Sequence, residues 1–323
     1  MHATDLDVAR IERATSLIAP VFLRSPQFFE EQLCSALGRR VLTKVETLNP
    51  LRSFKGRGVD LLAREFSPGT DLVCSSTGNF GQAMGYAATR HGMSAHVFVP
   101  TGTNPVKMRR MVAMGARVHE VECDRFKQEA RRFADQDPNR VFVEDGEHPR
   151  VAEGAGTIGV ELLETEGIDT IVLPVGDGAL ITGVARWTKE HAPHIRVVGV
   201  CATGAASMVD SWKAGRAVST EVADTFAEGI AINRPIAASV ERMRVLVDDM
   251  VVVGDADMLD AMRLVLETVG VLPEPAGAAG IAALRVHDLP GATVATVITG
   301  ANAPTALFPD VLTLGTSTSQ SVS

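Results

Sequence analysis

The chain has 323 residues, of which 46% are hydrophobic, so it is long enough to bury a large core or to form two lobes. A formal net charge of −8 and a pI near 5.5 argue against a nucleic-acid-binding surface. The longest apolar runs are strand-sized, and residues 1–15 contain no apolar signal-peptide core. We therefore expect a cytoplasmic protein that does not enter a membrane.

The four cysteines lie far apart, and no two of them form a CxxC pair. We expect reduced thiols, mostly buried packing residues, at Cys34, Cys74, Cys123 and Cys201. His191 and His194 are closely spaced, but without a third ligand they do not indicate a metal site. The Ser/Thr-rich segment 315–323 is typical of disorder.

Helical and strand patterns alternate over the first half of the chain. They predict helices over 6–18, 57–66, 82–91, 106–114 and 125–135, and strands over 42–47, 72–75, 95–100, 116–121 and 141–143. Such alternation implies parallel strands joined by right-handed crossovers.

The same alternation continues in the second half. It predicts helices over 153–166, 180–191 and 255–269, and strands over 170–175, 196–201, 251–253 and 292–298. We predict an α/β fold of two lobes, each with a mostly parallel sheet flanked by helices. Residues 1–71 and 147–323 are expected to form the larger domain, with residues 72–146 inserted as the smaller one. A ligand should bind in the crevice between them, at the carboxyl ends of the strands.

Three turn-rich stretches carry residues that are suited to chemistry. Lys55 lies in the first of them, 49–58, directly after a strand. The second, 74–82, is a polar loop with glycines that opens a helix, and the third, 173–180, is a glycine loop between a strand and a helix. An amine nucleophile, a loop of backbone donors and a phosphate cradle together indicate a pyridoxal phosphate site.

The third stretch is the predicted phosphate cradle. A 5′-phosphate carries close to two negative charges and favours unobstructed backbone N–H groups at the N-terminus of a helix. The loop Gly176, Asp177, Gly178, Ala179 and Leu180 has this arrangement, with the helix beginning just after it. Asp177 is unusual, because a carboxylate beside a phosphate is repulsive unless it turns outward.

Two motifs carry a resemblance to a known family. Ser53-Phe54-Lys55-x-Arg57-Gly58, followed by Ser76-Thr77-Gly78-Asn79-x-Gly81-Gln82, resembles the pyridoxal phosphate enzymes of the tryptophan synthase β-like family, fold type II. Within it the chain is most similar to the threonine/serine dehydratases and serine racemases. The resemblance runs from about residue 15 to about residue 305 in the family's motif order, and the family usually has glycine where Asp177 stands.

The resemblance implies a role for each motif residue. Lys55 would bond covalently to the cofactor's aldehyde and, once freed, would take the Cα proton of the substrate. Phe54 would lie beside the cofactor, and Asn79 would bond its phenolic oxygen. The loop residues that would direct N–H groups to the substrate carboxylate are Ser76, Thr77, Gly78, Asn79 and Phe80.

Three further residues are implied to contact the cofactor ring. Thr299 matches the partner of the pyridine nitrogen, Glu274 an acidic residue near the ring, and Gly229 a glycine packed against it. A neutral hydroxyl at Thr299 does not stabilise a pyridinium as a carboxylate would. This favours prompt loss of a β-leaving group over long-lived carbanions.

We therefore predict a pyridoxal phosphate-dependent ammonia-lyase, a carbon–oxygen lyase acting on a β-hydroxy amino acid. L-threonine or L-serine is the default substrate, the products are a 2-oxo acid and ammonia, and the phosphate would assist departure of the hydroxide. The family's divalent-metal ligands are replaced here by Cys201 and Ser207, so we predict no such metal site. The histidine beside the family's loop asparagine is replaced by Phe80, which makes the pocket less polar.

Alternatives remain open at this point. Thr77 stands where dehydratases have alanine and serine racemases have a serine that exchanges protons, so racemisation is one alternative. The others are β-replacement or threonine-synthase-type chemistry, and a non-catalytic cofactor- or amino-acid-binding protein. The lack of a regulatory domain after residue 315 argues against the feedback-controlled biosynthetic dehydratases. Because relatives are commonly dimers, we expect a homodimer.

Overall fold

The computed structural model describes residues 4–122 and 125–313. Cys123 and the predicted disordered segment 315–323 lie outside these residues. Of the other cysteines, Cys74 and Cys201 are buried free thiols and Cys34 is half-buried and free. Within the described part of the chain, no helix is long and apolar enough to cross a membrane.

Thirteen α-helices and ten strands occur within the described residues. The helices are α1 (Val8–Leu17), α2 (Glu31–Leu37), α3 (Lys55–Ala63), α4 (Asn79–Arg90), α5 (Pro105–Ala113), α6 (Phe126–Asp135), α7 (Pro149–Leu162), α8 (Ala179–His191), α9 (Ser207–Ala214), α10 (Ala237–Leu246), α11 (Asp255–Val269), α12 (Pro275–Val286) and α13 (Phe308–Leu312). The strands are β1 (Gln27–Phe29), β2 (Arg40–Val45), β3 (Asp71–Ser75), β4 (Ser94–Pro100), β5 (Ala116–Val121), β6 (Arg140–Phe142), β7 (Thr170–Pro174), β8 (Arg196–Ala202), β9 (Asp249–Val253) and β10 (Thr293–Ile298).

The larger sheet has six strands in the order β1-β2-β10-β7-β8-β9. Five of them run parallel, with β10 between β2 and β7. The sixth, β1, pairs antiparallel with β2 in a register that sets Gln27 opposite Lys44. The larger sheet is thus mostly parallel, as predicted. Strand β1 itself was not predicted, because three residues are too few to show a strand pattern in the sequence.

The smaller sheet has four strands in the order β5-β4-β3-β6, and all its pairings are parallel. Its strands lie between Asp71 and Phe142, so this sheet is built from the segment predicted as the inserted domain. The domain boundaries themselves stay a prediction.

Three helices of the larger sheet pack closely because glycines face one another. A Cβ at Gly58 of α3 would lie 2.4 Å from the carbonyl oxygen of Val151, and one at Gly154 of α7 would lie 2.6 Å from that of Arg57. On the other side of α7, a Cβ at Gly183 of α8 would lie 1.9 Å from the carbonyl oxygen of Ala152. Helix α7 is thus held in backbone contact with both α3 and α8, the two helices that begin at predicted site loops.

A buried ion network anchors the start of α3. The Arg57 guanidinium donates two hydrogen bonds to Glu46 (2.7 and 2.9 Å) and two to Glu161 (2.6 and 2.9 Å). Lys44 Nζ lies 2.6 Å from Glu161, and both cations are fully buried. The two carboxylates are therefore paired, which a buried charge requires.

Some elements differ from those predicted. Helix α7 begins at Pro149, four residues before its predicted start, with the His148 side chain accepting a hydrogen bond at its N-terminus. Helices α2, α9, α10, α12 and α13 were not predicted. Ten of the twelve residues of α12 are buried, so it has no polar face and no helical period for the sequence to show.

Candidate active site

One cavity of about 660 Å³ lies where strands of both sheets end. Its wall includes residues just after β3, β6, β7 and β10, for example Ser76, Asp145, Gly176 and Thr299. The structure brings together in this cavity all the predicted site residues: Phe54, Lys55, Ser76, Thr77, Gly78, Asn79, Phe80, Gly176, Asp177, Gly178, Ala179, Leu180, Gly229, Glu274 and Thr299. Parallel strands with their carboxyl ends at one crevice explain how distant motifs meet.

Lys55 is the first residue of α3 and forms an ion pair with Asp145. Its ammonium also lies 4.9 Å from the ring centre of Phe54 and 5.9 Å from that of Phe80, within the range of cation–π attraction. The side chains of Lys55 and Asp145 are 16% and 12% exposed, so the pair is largely withdrawn from water yet open to the cavity.

The turn that carries Lys55 is fixed to the segment after β10. The Phe54 N–H donates to the carbonyl oxygen of Thr299 (3.0 Å), and the Ala301 N–H donates to that of Arg52 (2.9 Å). The Asn49 side chain donates to the carbonyl oxygen of Ser53 (3.1 Å). These bonds fix the position of Lys55 relative to Thr299, the predicted partner of the pyridine nitrogen.

Asn79 is held between Glu274 and Asn302. Its Nδ2 donates to Glu274 Oε1 (2.7 Å), and its Oδ1 accepts from Asn302 Nδ2 (2.6 Å). An amide nitrogen has two hydrogens, so one remains for a ligand oxygen. Burial raises the pKa of Glu274, against the opposing effect of hydrogen bonds from the Asn302 N–H and from Asn79.

Two of the N–H groups in the loop at 76–80 have acceptors within the protein. The Ser76 N–H donates to the carbonyl oxygen of Phe98 (3.1 Å), and the Gly78 N–H donates to Ser76 Oγ (3.3 Å). Both residues line the cavity, and their role as donors to a substrate stays a prediction. The N–H groups of Thr77, Asn79 and Phe80 remain candidates, and α4 begins at Asn79, so its N-terminus favours an anion there.

The glycine loop leads directly into α8. Gly178 has φ +93°, a left-handed conformation that favours glycine, and it is the N-terminal cap of that helix. A Cβ at Gly176 would lie 2.4 Å from the carbonyl oxygen of Gly229, so the backbones touch here. Gly229, predicted to pack on the ring, therefore also shapes the predicted phosphate loop.

Asp177 is the one loop residue whose chemistry opposes a phosphate. Burial, with Asp145 nearby, raises the pKa of its carboxyl to about 7, while Lys55 and Lys127 act in the opposite direction. Ser239 Oγ lies within hydrogen-bond distance of the carbonyl oxygens of Asp177 (2.5 Å) and Gly146 (2.7 Å). This hydroxyl docks the segment after β6 onto the loop.

Sequence reasoning missed Asp145, Asn302 and Ser239. Asp145 follows a predicted strand by two residues, and an acidic side chain at the carboxyl end of a parallel strand is a signal that could have found it. Cys201 and Ser207, in the places of the family's metal ligands, are buried and bonded to the carbonyl oxygens of Val175 and Ile232. The absence of a metal stays a prediction.

The family model described as "Pyridoxal-phosphate dependent enzyme" matches residues 18–300. The chain belongs to this family. It is 32% identical over 314 residues to the L-threonine ammonia-lyase of Thermotoga maritima, covering 94% of this chain and 78% of that one. It is also 32% identical over 290 residues to the serine racemase of Arabidopsis thaliana, covering 86% and 85%. The crystal structure of a threonine deaminase from T.th. matches with a TM-score of 0.86 and 30% identity, over 92% and 98% of the two chains.

The predicted family, its fold type II and its cofactor are thereby confirmed, and the relatives support the prediction of a lyase. The residues present also fit pyridoxal phosphate. A lysine amine, a loop of backbone contacts at the N-terminus of α8 and a cavity of suitable size occur together. Asp177 is the exception to this fit.

Proposed function

We propose that the protein is a pyridoxal phosphate-dependent ammonia-lyase that converts a β-hydroxy amino acid, by default L-threonine or L-serine, to a 2-oxo acid and ammonia. The observation that carries the proposal is that one cavity holds Lys55, the glycine loop of α8 and the neutral hydroxyl of Thr299. The similarity to an L-threonine ammonia-lyase and to a threonine deaminase structure supports it.

The cofactor, when bound, supplies an electron-withdrawing ring that makes the Cα–H bond of an amino acid acidic. The Lys55 amine takes the Cα proton, and Asp145, already in contact with Nζ, accepts a hydrogen bond from the ammonium that results. The β-hydroxyl would leave as hydroxide and take up a proton to form water, and hydrolysis of the enamine that remains would give the 2-oxo acid and ammonia. The neutral Thr299 hydroxyl would leave a bound ring only a modest electron sink, which would favour this departure over a long-lived carbanion.

The substrate carboxylate is proposed to bind at the start of α4. The N–H groups of Thr77, Asn79 and Phe80 lie where the helix dipole favours an anion. Phe80 is 4% exposed, so it closes this end of the cavity with apolar surface. Water is thereby excluded from one side of the reacting atoms.

Racemisation is the second proposal, favoured by the serine racemase relative and by the Thr77 hydroxyl in the cavity wall. Purified protein with pyridoxal phosphate is expected to release 2-oxo acid from L-threonine or L-serine. In Thr77→Ala elimination should fall by less than about tenfold, whereas any racemisation should fall by more than about a hundredfold because its second proton carrier is gone. Keto-acid release and chiral chromatography measure the two reactions in one incubation.

Ser16→Ala, an exposed residue of α1, is the control and should change neither rate. A protein that yields no 2-oxo acid from any β-hydroxy amino acid would contradict the lyase. Loss of both activities in Thr77→Ala would assign Thr77 to a step that the two reactions share.

We further propose a homodimer, as the family resemblance implies, and a location in the cytoplasm. Size-exclusion chromatography with light scattering tests the oligomeric state, with twice the 34.3 kDa chain mass expected.

A further inference from the structure

Asp177 lies inside the loop that is proposed to hold the cofactor phosphate. It stands between Gly176, whose backbone touches Gly229, and Gly178, whose left-handed backbone starts α8. All three residues line the cavity. The charged groups that act on the Asp177 carboxyl, namely Asp145, Lys55 and Lys127, line the same cavity. A phosphate bound to this loop therefore shares the cavity with that carboxyl.

The charges that face Asp177 come from three elements. Asp145, from the segment after β6, is repulsive, whereas Lys55 of α3 and Lys127 of α6 are attractive. Both cations already have acidic partners: Lys55 pairs with Asp145, and Lys127 pairs with Glu144. Each is thus already engaged with another carboxylate when a phosphate arrives.

The cation Arg131, near Lys127, also has acidic partners of its own. Arg131 pairs with Glu144 and lies 3.7 Å from Glu147. Burial, and then the nearby charges of Arg131 and Arg234, lower the pKa of Lys127, while Asp177 and Glu147 act in the opposite direction. The two cations that act on Asp177 are therefore both paired with another carboxylate, Lys55 with Asp145 and Lys127 with Glu144.

A dianionic phosphate and an ionised carboxylate repel each other strongly where little water separates them. We propose that Asp177 is a determinant of cofactor binding whose carboxyl must carry a proton when the phosphate occupies the loop. At any pH at which Asp177 is ionised in the free protein, binding of the phosphate then takes up a proton from solution. The raised pKa of Asp177, about 7, places that uptake above neutral pH. Affinity for the phosphate consequently falls as the pH rises through 7 and beyond.

The inference rests on the proposed position of the cofactor phosphate and not on the reaction. The probe is pyridoxine 5′-phosphate, which has no aldehyde and so cannot bond to Lys55. Isothermal titration calorimetry of the apoprotein gives its Kd between about pH 6.5 and 8.5, and buffers of different ionisation enthalpy give the number of protons taken up.

For the unmodified chain, Kd should rise by about tenfold or more from pH 7 to 8.5, with uptake of close to one proton at pH 8. Asp177→Asn keeps the shape of the side chain and cannot ionise, so its Kd should change by less than about threefold, without uptake. Asp288→Asn removes the same charge from a fully exposed side chain and should behave like the unmodified protein.

The inference would be overturned if the Kd for pyridoxine 5′-phosphate changed with pH in the same way for the unmodified chain and for Asp177→Asn. So would the absence of proton uptake by the unmodified protein, which needs no variant and stands even if Asp177→Asn fails to fold. If the proton uptake is found but no amino acid yields a 2-oxo acid, the proposed function fails and the inference stands.

Discussion

At the scale of single residues, the buried ion pairs of Arg57 hold the start of α3, where Lys55 lies. Two residues from Lys55, Arg57 bonds both oxygens of Glu46 and of Glu161 with its planar guanidinium, and it is fully buried. A lysine has one ammonium and cannot reproduce these four bonds. The position of Lys55, the proposed catalytic lysine, thus depends on a residue that lies outside the cavity wall.

Arg57→Lys should therefore destabilise the apoprotein by about 3–5 kcal/mol, because one ammonium cannot pair with both buried carboxylates. Urea denaturation followed by circular dichroism measures the free energy of unfolding. Arg132→Lys, whose partner Glu129 is also accessible, is the control and should cost less than about 1 kcal/mol. Equal losses in the two variants would show that the network does not stabilise α3.

At the same scale, short motifs predicted Lys55, Asn79 and the glycine loop, since each has its own local sequence pattern. Asp145 and Asn302 could not be found in this way. Asn302 contacts Asn79, 223 residues away, and Asp145 contacts Lys55, 90 residues away. Such pairs are created by the packing of the two sheets, which residue spacing alone does not specify.

At the scale of elements, glycines at the contacts of α7 set the distance between the helices. Gly154 touches the backbone of α3, whereas Gly159 in the same helix approaches α8 less closely, with a Cβ that would lie 3.2 Å from Val184. An alanine is intrinsically favoured over glycine within a helix by about 1 kcal/mol. A difference in stability between alanine variants at these two positions therefore reports the packing of the helices and not helix propensity.

Gly154→Ala should be less stable than Gly159→Ala by about 1–3 kcal/mol, because its methyl group forces α3 away from α7. Thermal unfolding of the two apoproteins measures the difference. If Gly154→Ala were as stable as Gly159→Ala, the close backbone contact would not be a feature of the folded protein.

Elements with a clear period were predicted well, and α11 has its predicted bounds, Asp255–Val269. Buried α12 and the three-residue β1 were missed for opposite reasons. The first is apolar on every side and the second is too short, so neither displays the alternation that identifies an element.

At the scale of the whole molecule, two sheets direct the carboxyl ends of their strands toward one cavity. The two-sheet architecture was predictable because alternating helices and strands imply parallel sheets. The antiparallel pairing of β1 and the insertion of β10 between β2 and β7 were not, since strand order depends on contacts between distant segments.

The most direct test of the account is where the cofactor becomes attached. Protein incubated with pyridoxal phosphate should absorb at about 410–420 nm, and borohydride should remove this band and fix the label. Peptide mass spectrometry of the unmodified protein should then find the label on Lys55. The control variant Lys213→Arg, which changes an exposed residue of α9, should be labelled on Lys55 to the same extent. The variant Lys55→Ala should carry no label at position 55. A label on another lysine, or none on Lys55 in protein that has bound the cofactor, would contradict the account.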